Sequence, residues 1–238
     1  MGPSPVSATP ISYQLSGNLY SYEQIHRIAD NASIANRLTM PTEMDAVRDI
    51  VKERGLLRPC DLEDEGLPPR YLRRLHERGE LERIGRGLYR DPDAPVTAHH
   101  SLAVTAKRYP DVVVCLLSAL QYHELTTQWP RAVWVARDQG AWEPADPSVA
   151  LQLVRMSGPA LHEGVEEHVI EHVPVKIFGP AKTVADCFKF RNKIGLDVAI
   201  EALRDYHQQQ AGTMDELWHF ASVCRVTTVI KPYMEAIV

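Results

Sequence analysis

Between Pro59 and Arg90 the sequence places a proline-led short helix, a tight break, an arginine-rich amphipathic helix and a glycine-pivoted hairpin in that order, and few folds accept that order. Pro59 suits the first turn of a helix, where its missing N–H costs nothing. Cys60 and Leu62 follow among the acidic Asp61, Glu63, Asp64 and Glu65, and Gly66 stops the helix. Leu67-Pro68-Pro69 then turns into a helix from Pro69 to about Arg78. There Tyr71, Leu72 and Leu75 face inward while Arg70, Arg73, Arg74 and Glu77 face out. After Gly79, two short stretches, Leu81 with Arg83 and Leu88 with Arg90, flank Gly85-Arg86-Gly87 as strands about a glycine turn. Upstream, Thr42 is a helix N-cap with Glu43 and Asp45 in the first turn, and Met44, Val47, Ile50 and Val51 recur at helical spacing up to Gly55. Three helices with a short second turn, followed by a hairpin, predict a winged helix-turn-helix.

Charge sharpens that expectation. The chain of 238 residues has 26 Lys and Arg against 31 Asp and Glu, a net charge of −5. Residues 70–90 hold seven Arg and three Glu, so 7 − 3 = +4, and the remainder sums to −5 − 4 = −9. A basic island in an acidic protein marks a defined docking face rather than a chain that coats nucleic acid throughout. Each arginine that reaches a phosphate releases counterions, and an arginine in the major groove can grip guanine O6 and N7 together. Arg70, Arg73 and Arg74 are assigned to the groove, with Tyr71 beside them. Arg83, Arg86 and Arg90 are assigned to phosphates, Arg86 at the tip being placed to enter a minor groove, and Arg78 lies between the two groups.

The rest of the chain reads as two further segments. Residues 1–18 are rich in Ser and Pro and read as a flexible tail. Ser21 with Gln24 forms a capping box ahead of an amphipathic helix reaching Leu38, an arm for packing on its own domain or on a partner subunit. Met40 offers an alternative start. The predicted organisation is therefore residues 1–40 as tail and helix, 41–95 as the winged DNA-binding domain, and 96–238 as a larger mixed α+β domain. In that last segment helices are expected at Thr97–Tyr109, Ala181–Phe190, Gly195–Gln209, Met214–Val223 and Thr228–Ala236. Val112–His123 reads as a helix or as strand plus helix. Strands are expected at Ala132–Ala136, Leu151–Met156, Val165–Glu171 and Val173–Phe178. The fold class is α+β.

Several sequence patches carry a family resemblance. The run from Asp45 to Tyr89, ending Leu81-Glu82-Arg83-Ile84-Gly85-Arg86-Gly87-Leu88-Tyr89, resembles the N-terminal winged domain of AbiEi-type antitoxins from bacterial type IV toxin–antitoxin systems. Cys115-Leu116-Leu117-Ser118-Ala119-Leu120 with Gln121-Tyr122-His123-Glu124-Leu125 is similar to a second patch of that family, and Gly179–Cys187 to a third. The resemblance spans about residues 42–210 and departs at Glu124, where glycine is common, and at Lys182, where arginine is common. It implies a repressor of its own operon that binds inverted repeats in double-stranded DNA. It also implies an antitoxin that counteracts a nucleotidyltransferase-like toxin without a stable complex, as a monomer or weak dimer in the bacterial cytoplasm.

Other constellations are weaker. Lys182, Lys189, Arg191 and Lys193 form a second basic cluster, read as a solvated helix or as an auxiliary DNA or antitoxic surface. His168 and His172 with Glu166, Glu167 and Glu171 have metal-ligand types, but Val165, Val169, Ile170 and Val173 frame them as an edge strand. His99-His100 before Ser101 lacks an oxyanion signature and reads as a helix start. Asp186 with Lys182 and Lys189 has too few carboxylates for a nuclease centre and is read as a local cap at a helix start. Trp129, Trp134 and Trp142 are read as packing residues. No catalytic residue, metal or cofactor is expected. The four cysteines, Cys60, Cys115, Cys187 and Cys224, form no C-x-x-C pair and are read as reduced. No apolar run or N-terminal pattern indicates a membrane span, secretion or lipidation. Two other classes stay open: a nucleic-acid-processing enzyme delivered by a winged domain, and a winged protein–protein adaptor.

Overall fold

The computed structural model describes residues 12–15, 18–21, 42–140 and 149–237. Strands β1 (Ser12–Leu15) and β2 (Asn18–Ser21) pair antiparallel, with Tyr13 opposite Tyr20. Within the segment read as a flexible tail, residues 12–15 and 18 are thus in strands. The missed signal was Ser16-Gly17 between β-prone residues, a two-residue hairpin sequence. The helix expected up to Leu38 and the packing of Trp142 lie outside the described residues.

Helix α1 (Glu43–Arg54) starts at Thr42, whose hydroxyl accepts from the Asp45 N–H while Asp45 accepts from the Thr42 N–H, a reciprocal cap. It ends at Gly55, held at φ +66, where a left-handed residue is needed. Strand β3 (Leu56–Leu57), α2 (Pro59–Glu63), α3 (Arg70–Glu77), β4 (Glu82–Gly85) and β5 (Leu88–Arg90) follow, and the three strands form one sheet in the order β3-β5-β4. The sequence reading lacked β3, whose two residues are too few to show a period. The inward faces of α1, α2 and α3 meet in one core containing Val47, Ile50, Leu62, Leu72 and Leu75.

The remaining residues build a mixed layer. Helix α4 (His100–Arg108), β6 (Val113–Val114), α5 (Leu116–Tyr122), β7 (Val133–Asp138), β8 (Leu151–Met156), α6 (Pro159–His162), β9 (Val165–Ile170) and β10 (Val173–Phe178) come first. Helices α7 (Pro180–Lys189), α8 (Arg191–Ile194), α9 (Leu196–Gln208), α10 (Met214–Val223) and α11 (Thr227–Ile237) close the chain. The five-stranded sheet has the order β8-β7-β6-β10-β9, with parallel β7/β8 and β6/β10 pairs and antiparallel β6/β7 and β9/β10 pairs. The class is α+β, as the sequence indicated.

Alternation along the strands divides the interior in two. Val133, Val135, Val173, Val175 and Ile177 face α4 and, beyond it, Leu56 and Leu88 of the winged domain. Val113, Ala136, Val154 and Phe178 face the helical layer of Val184, Phe188, Leu203, Leu217 and Ile230. The winged domain is thus seated on one face of the sheet and the C-terminal helices cover the other. Polar contacts reinforce that seat: Lys107 of α4 pairs with Asp61 of α2 at 2.9 Å, and Glu171 accepts from the Thr97 N–H and hydroxyl and from His100.

Candidate nucleic-acid interface

Leu72 and Leu75 fasten α3 to α1, which leaves Arg70, Arg73 and Arg74 exposed on the opposite face. The Tyr71 ring lies half-buried between them, 5.5 Å from both the Arg70 and the Arg74 guanidinium carbons, and its hydroxyl donates to Glu43 at 2.6 Å. That bond anchors the ring to the first turn of α1, so Tyr71 serves as a platform holding two arginines outward. Arg73 donates to Glu77 at 2.7 Å one turn on, and this neighbour raises its pKa further. The pair is fully solvated, so opening it for a phosphate or a base costs little.

The wing is a β4/β5 hairpin with Gly85 opposite Leu88 and a register shift between Arg83 and Gly85. Gly87 takes φ +66 at its tip, a conformation that costs an L side chain about 1 kcal/mol or more. Arg86 beside it is exposed. Arg83 is exposed and turned onto the Gly85 carbonyl at 3.2 Å. Arg78, at the end of α3, lies against the Met44 sulfur.

Two assignments change. Arg90 points inward from β5, with its side chain only 18% exposed and bound to Glu82 across the hairpin at 2.8 Å. A cross-strand pair is what neighbouring β positions make, and Arg90 belongs to the wing's frame more than to its grip. Lys182 is 0% exposed inside α7, 2.5 Å from the equally buried Asp186, and cannot be part of any surface. Its long stem reads as exposed from sequence, but α7 is covered on every side by α5, α9 and α10. Asp186 is likewise no cap: it sits near the C-terminal end of α7, accepting from Lys182 and from the Cys224 thiol at 3.1 Å.

The other weighed clusters resolve physically. His172 lies in the β9/β10 turn with Glu171, both at positive φ, so it does not share the strand face of His168. Among the described residues no group of three or more His, Cys, Asp or Glu could hold a metal ion. His99 ends up as the residue preceding α4, its ring against Tyr122. Trp134 packs on the core, whereas Trp129 is 77% exposed, contrary to the packing role expected for it. Cys115, Cys187 and Cys224 are buried and Cys60 exposed, all as free thiols. No helix among the described residues is long and apolar enough to cross a membrane.

Sequence reasoning missed Arg58. Directly before α2, its backbone N–H donates to Asp61 at 2.5 Å, and its side-chain Nε is buried without a hydrogen-bond partner. Its position before the helix-starting Pro59 was the available signal.

No curated protein matches the sequence. Among solved structures the chain is similar to the RV2827C protein from Mycobacterium tuberculosis, at 14% identity, over 81% of this chain and 78% of that one, with a TM-score of 0.47. Residues 45–90, from the first turn of α1 to the end of the wing, match the family described as transcriptional regulator, AbiEi antitoxin, and the similarity to that family is confined to this segment.

Proposed function

We propose that this protein is a sequence-specific DNA-binding transcriptional repressor and the autoregulating antitoxin of a type IV toxin–antitoxin pair. The observation that carries the DNA half is the exposed row Arg70, Arg73 and Arg74, held on a helix whose other face is locked by Leu72 and Leu75. In the proposed complex α3 enters the major groove, where one bidentate arginine discriminates against a wrong base by about 1–3 kcal/mol. Arg86 and Arg83 hold phosphates from the wing, and Arg78 and Arg90 contribute least. Residues 41–95 supply DNA binding, and residues 96–238 supply the action against a nucleotidyltransferase-like toxin. The match of residues 45–90 to the AbiEi antitoxin regulators supports both halves. Inverted repeats in its own promoter are the proposed target, bound by a monomer or weak dimer.

A paired cell assay tests this. A reporter driven by the protein's own promoter is repressed by the wild type and released by Arg73→Ala/Arg74→Ala. Co-expressed with a nucleotidyltransferase-like toxin, the protein restores growth even as that double variant, since the two tasks are proposed to lie on different domains. A reporter unaffected by the wild type contradicts the repressor reading, and growth that the protein never rescues contradicts the antitoxin reading.

A further inference from the structure

On the face of the sheet opposite the winged domain, the ends of α7 and α10 and the starts of α6, α8 and α11 surround a cleft of about 630 Å³. Three cations border it: Lys189, Arg191 and Arg225. Among the described residues none of them has a carboxylate within ion-pairing distance, although acidic residues outnumber basic ones in the chain. Arg191 spends one N–H on the Phe188 carbonyl at 2.9 Å and keeps its other donors. The Lys189 ammonium lies 5.8 Å from the Phe190 ring centroid, a contact that leaves its three donors unfilled. Arg225 occupies the left-handed region at φ +58, a strained conformation for a side chain of this size. The buried carboxylate Asp186 is ion-paired with Lys182, and the Lys189 charge acts on it only as the weakest of the influences lowering its pKa.

Three like charges around one concavity repel each other unless an anion sits among them, and a hydroxyl, Ser157, completes the rim. We propose that this cleft binds a phosphorylated small molecule of about nucleotide size. Its volume lies within the range of small-ligand sites, roughly 300–1,000 Å³. Lys189 and Arg191 are half-buried in the cleft and Arg225 is exposed at its rim. The cleft also lies across the sheet from α3 and the wing, so no single straight duplex joins the two sites. Pro159 and Val226 give an apolar wall for the rest of the ligand.

Calorimetric titration of the full-length protein tests this, with inorganic pyrophosphate, ATP, adenosine and a short random-sequence duplex as probes. Arg225→Gly relieves the positive φ and keeps the fold, Lys189→Gln removes one charge, and Lys193→Gln, on the same helical corner but outside the cleft, is the control. Thermal melts confirm that all three are folded. Pyrophosphate and ATP bind and adenosine does not, and each cleft variant weakens binding by about tenfold while the control stays within about twofold. The proposal is overturned if neither phosphate probe gives heat, if adenosine binds as well as ATP, or if the cleft variants leave affinity unchanged. Duplex affinity that falls in the cleft variants, with ATP unbound, assigns the cations to nucleic acid and also overturns it.

Discussion

Replacing Lys182 by Met removes one charge from a wholly buried pair at nearly constant volume, and the consequence can be worked out. In the native protein burial pushes the Asp186 carboxyl above its ordinary 3.8, and the Lys182 ammonium pulls it partly back. The ammonium also rests 4.0 Å from the Phe178 ring. Without Lys182 the carboxylate has no cation in an apolar layer, and the fold escapes that cost by taking up a proton. Protonation of a group whose unfolded pKa is 3.8 costs about 1.36 × (7 − 3.8) ≈ 4 kcal/mol at pH 7, and about 1.6 kcal/mol at pH 5. The sign follows from linkage: the variant's folded state binds a proton that its unfolded state releases, so its stability falls as pH rises from 3.8 toward the raised folded pKa. Urea unfolding at both pH values measures this. Lys182→Met is expected to lose about 3–5 kcal/mol at pH 7 and markedly less at pH 5, while Lys182→Met/Asp186→Leu recovers most of the loss. A cost below about 1 kcal/mol at pH 7, or an equal cost at both pH values, would refute the buried-pair account.

Other outcomes are expected. Thr42→Ala removes the hydroxyl that caps α1 and should cost about 1 kcal/mol in chemical unfolding, with Thr42→Ser close to neutral. Gly87→Ala has room for its Cβ, 3.9 Å from Pro59, but not the backbone for it, and should lower stability by about 1–2 kcal/mol and broaden the wing's amide signals. Burial lowers the pKa of His123, only partly offset by the bond its Nε2–H donates to the Phe178 carbonyl at 2.8 Å. The unfolded chain therefore takes the proton first, and stability contributed here is lost as pH falls from its ordinary 6.5 through the lowered folded value. His123→Gln should flatten the change in urea midpoint between about pH 7.5 and about pH 5.5.

The winged domain was legible because its signals are local. Thr42, Pro59, Gly66, Gly79 and Gly87 each mark a boundary by their own backbone chemistry, and the Leu72/Leu75 stripe fixes which arginines face out. The longer helices of the second domain, α4, α7, α9, α10 and α11, and its strands β7 to β10 were also readable, since a period of 3.6 or 2 survives in each, whereas the four-residue α6 and α8 are too short to show one and were not expected. What was not legible depends on distant partners. Leu56–Leu57 becomes a strand only because β5 offers it an edge. Lys182 looks like any helix-surface lysine until α5, α9 and α10 close over it. Arg90 looks like its neighbours until Glu82 takes it from across the hairpin. Arg225 shows nothing in sequence to join it to Lys189 and Arg191.

The most direct test of the central claim is binding of the purified protein to its own promoter fragment and to a scrambled fragment over a salt series, with Arg73→Ala/Arg74→Ala and Arg86→Ala beside the wild type. The account predicts preference for the promoter, loss of that preference in the helix double variant, and uniformly weaker binding with a salt slope shallower by about one in the wing variant. Equal and weak binding to both fragments, unchanged by either variant, would contradict it.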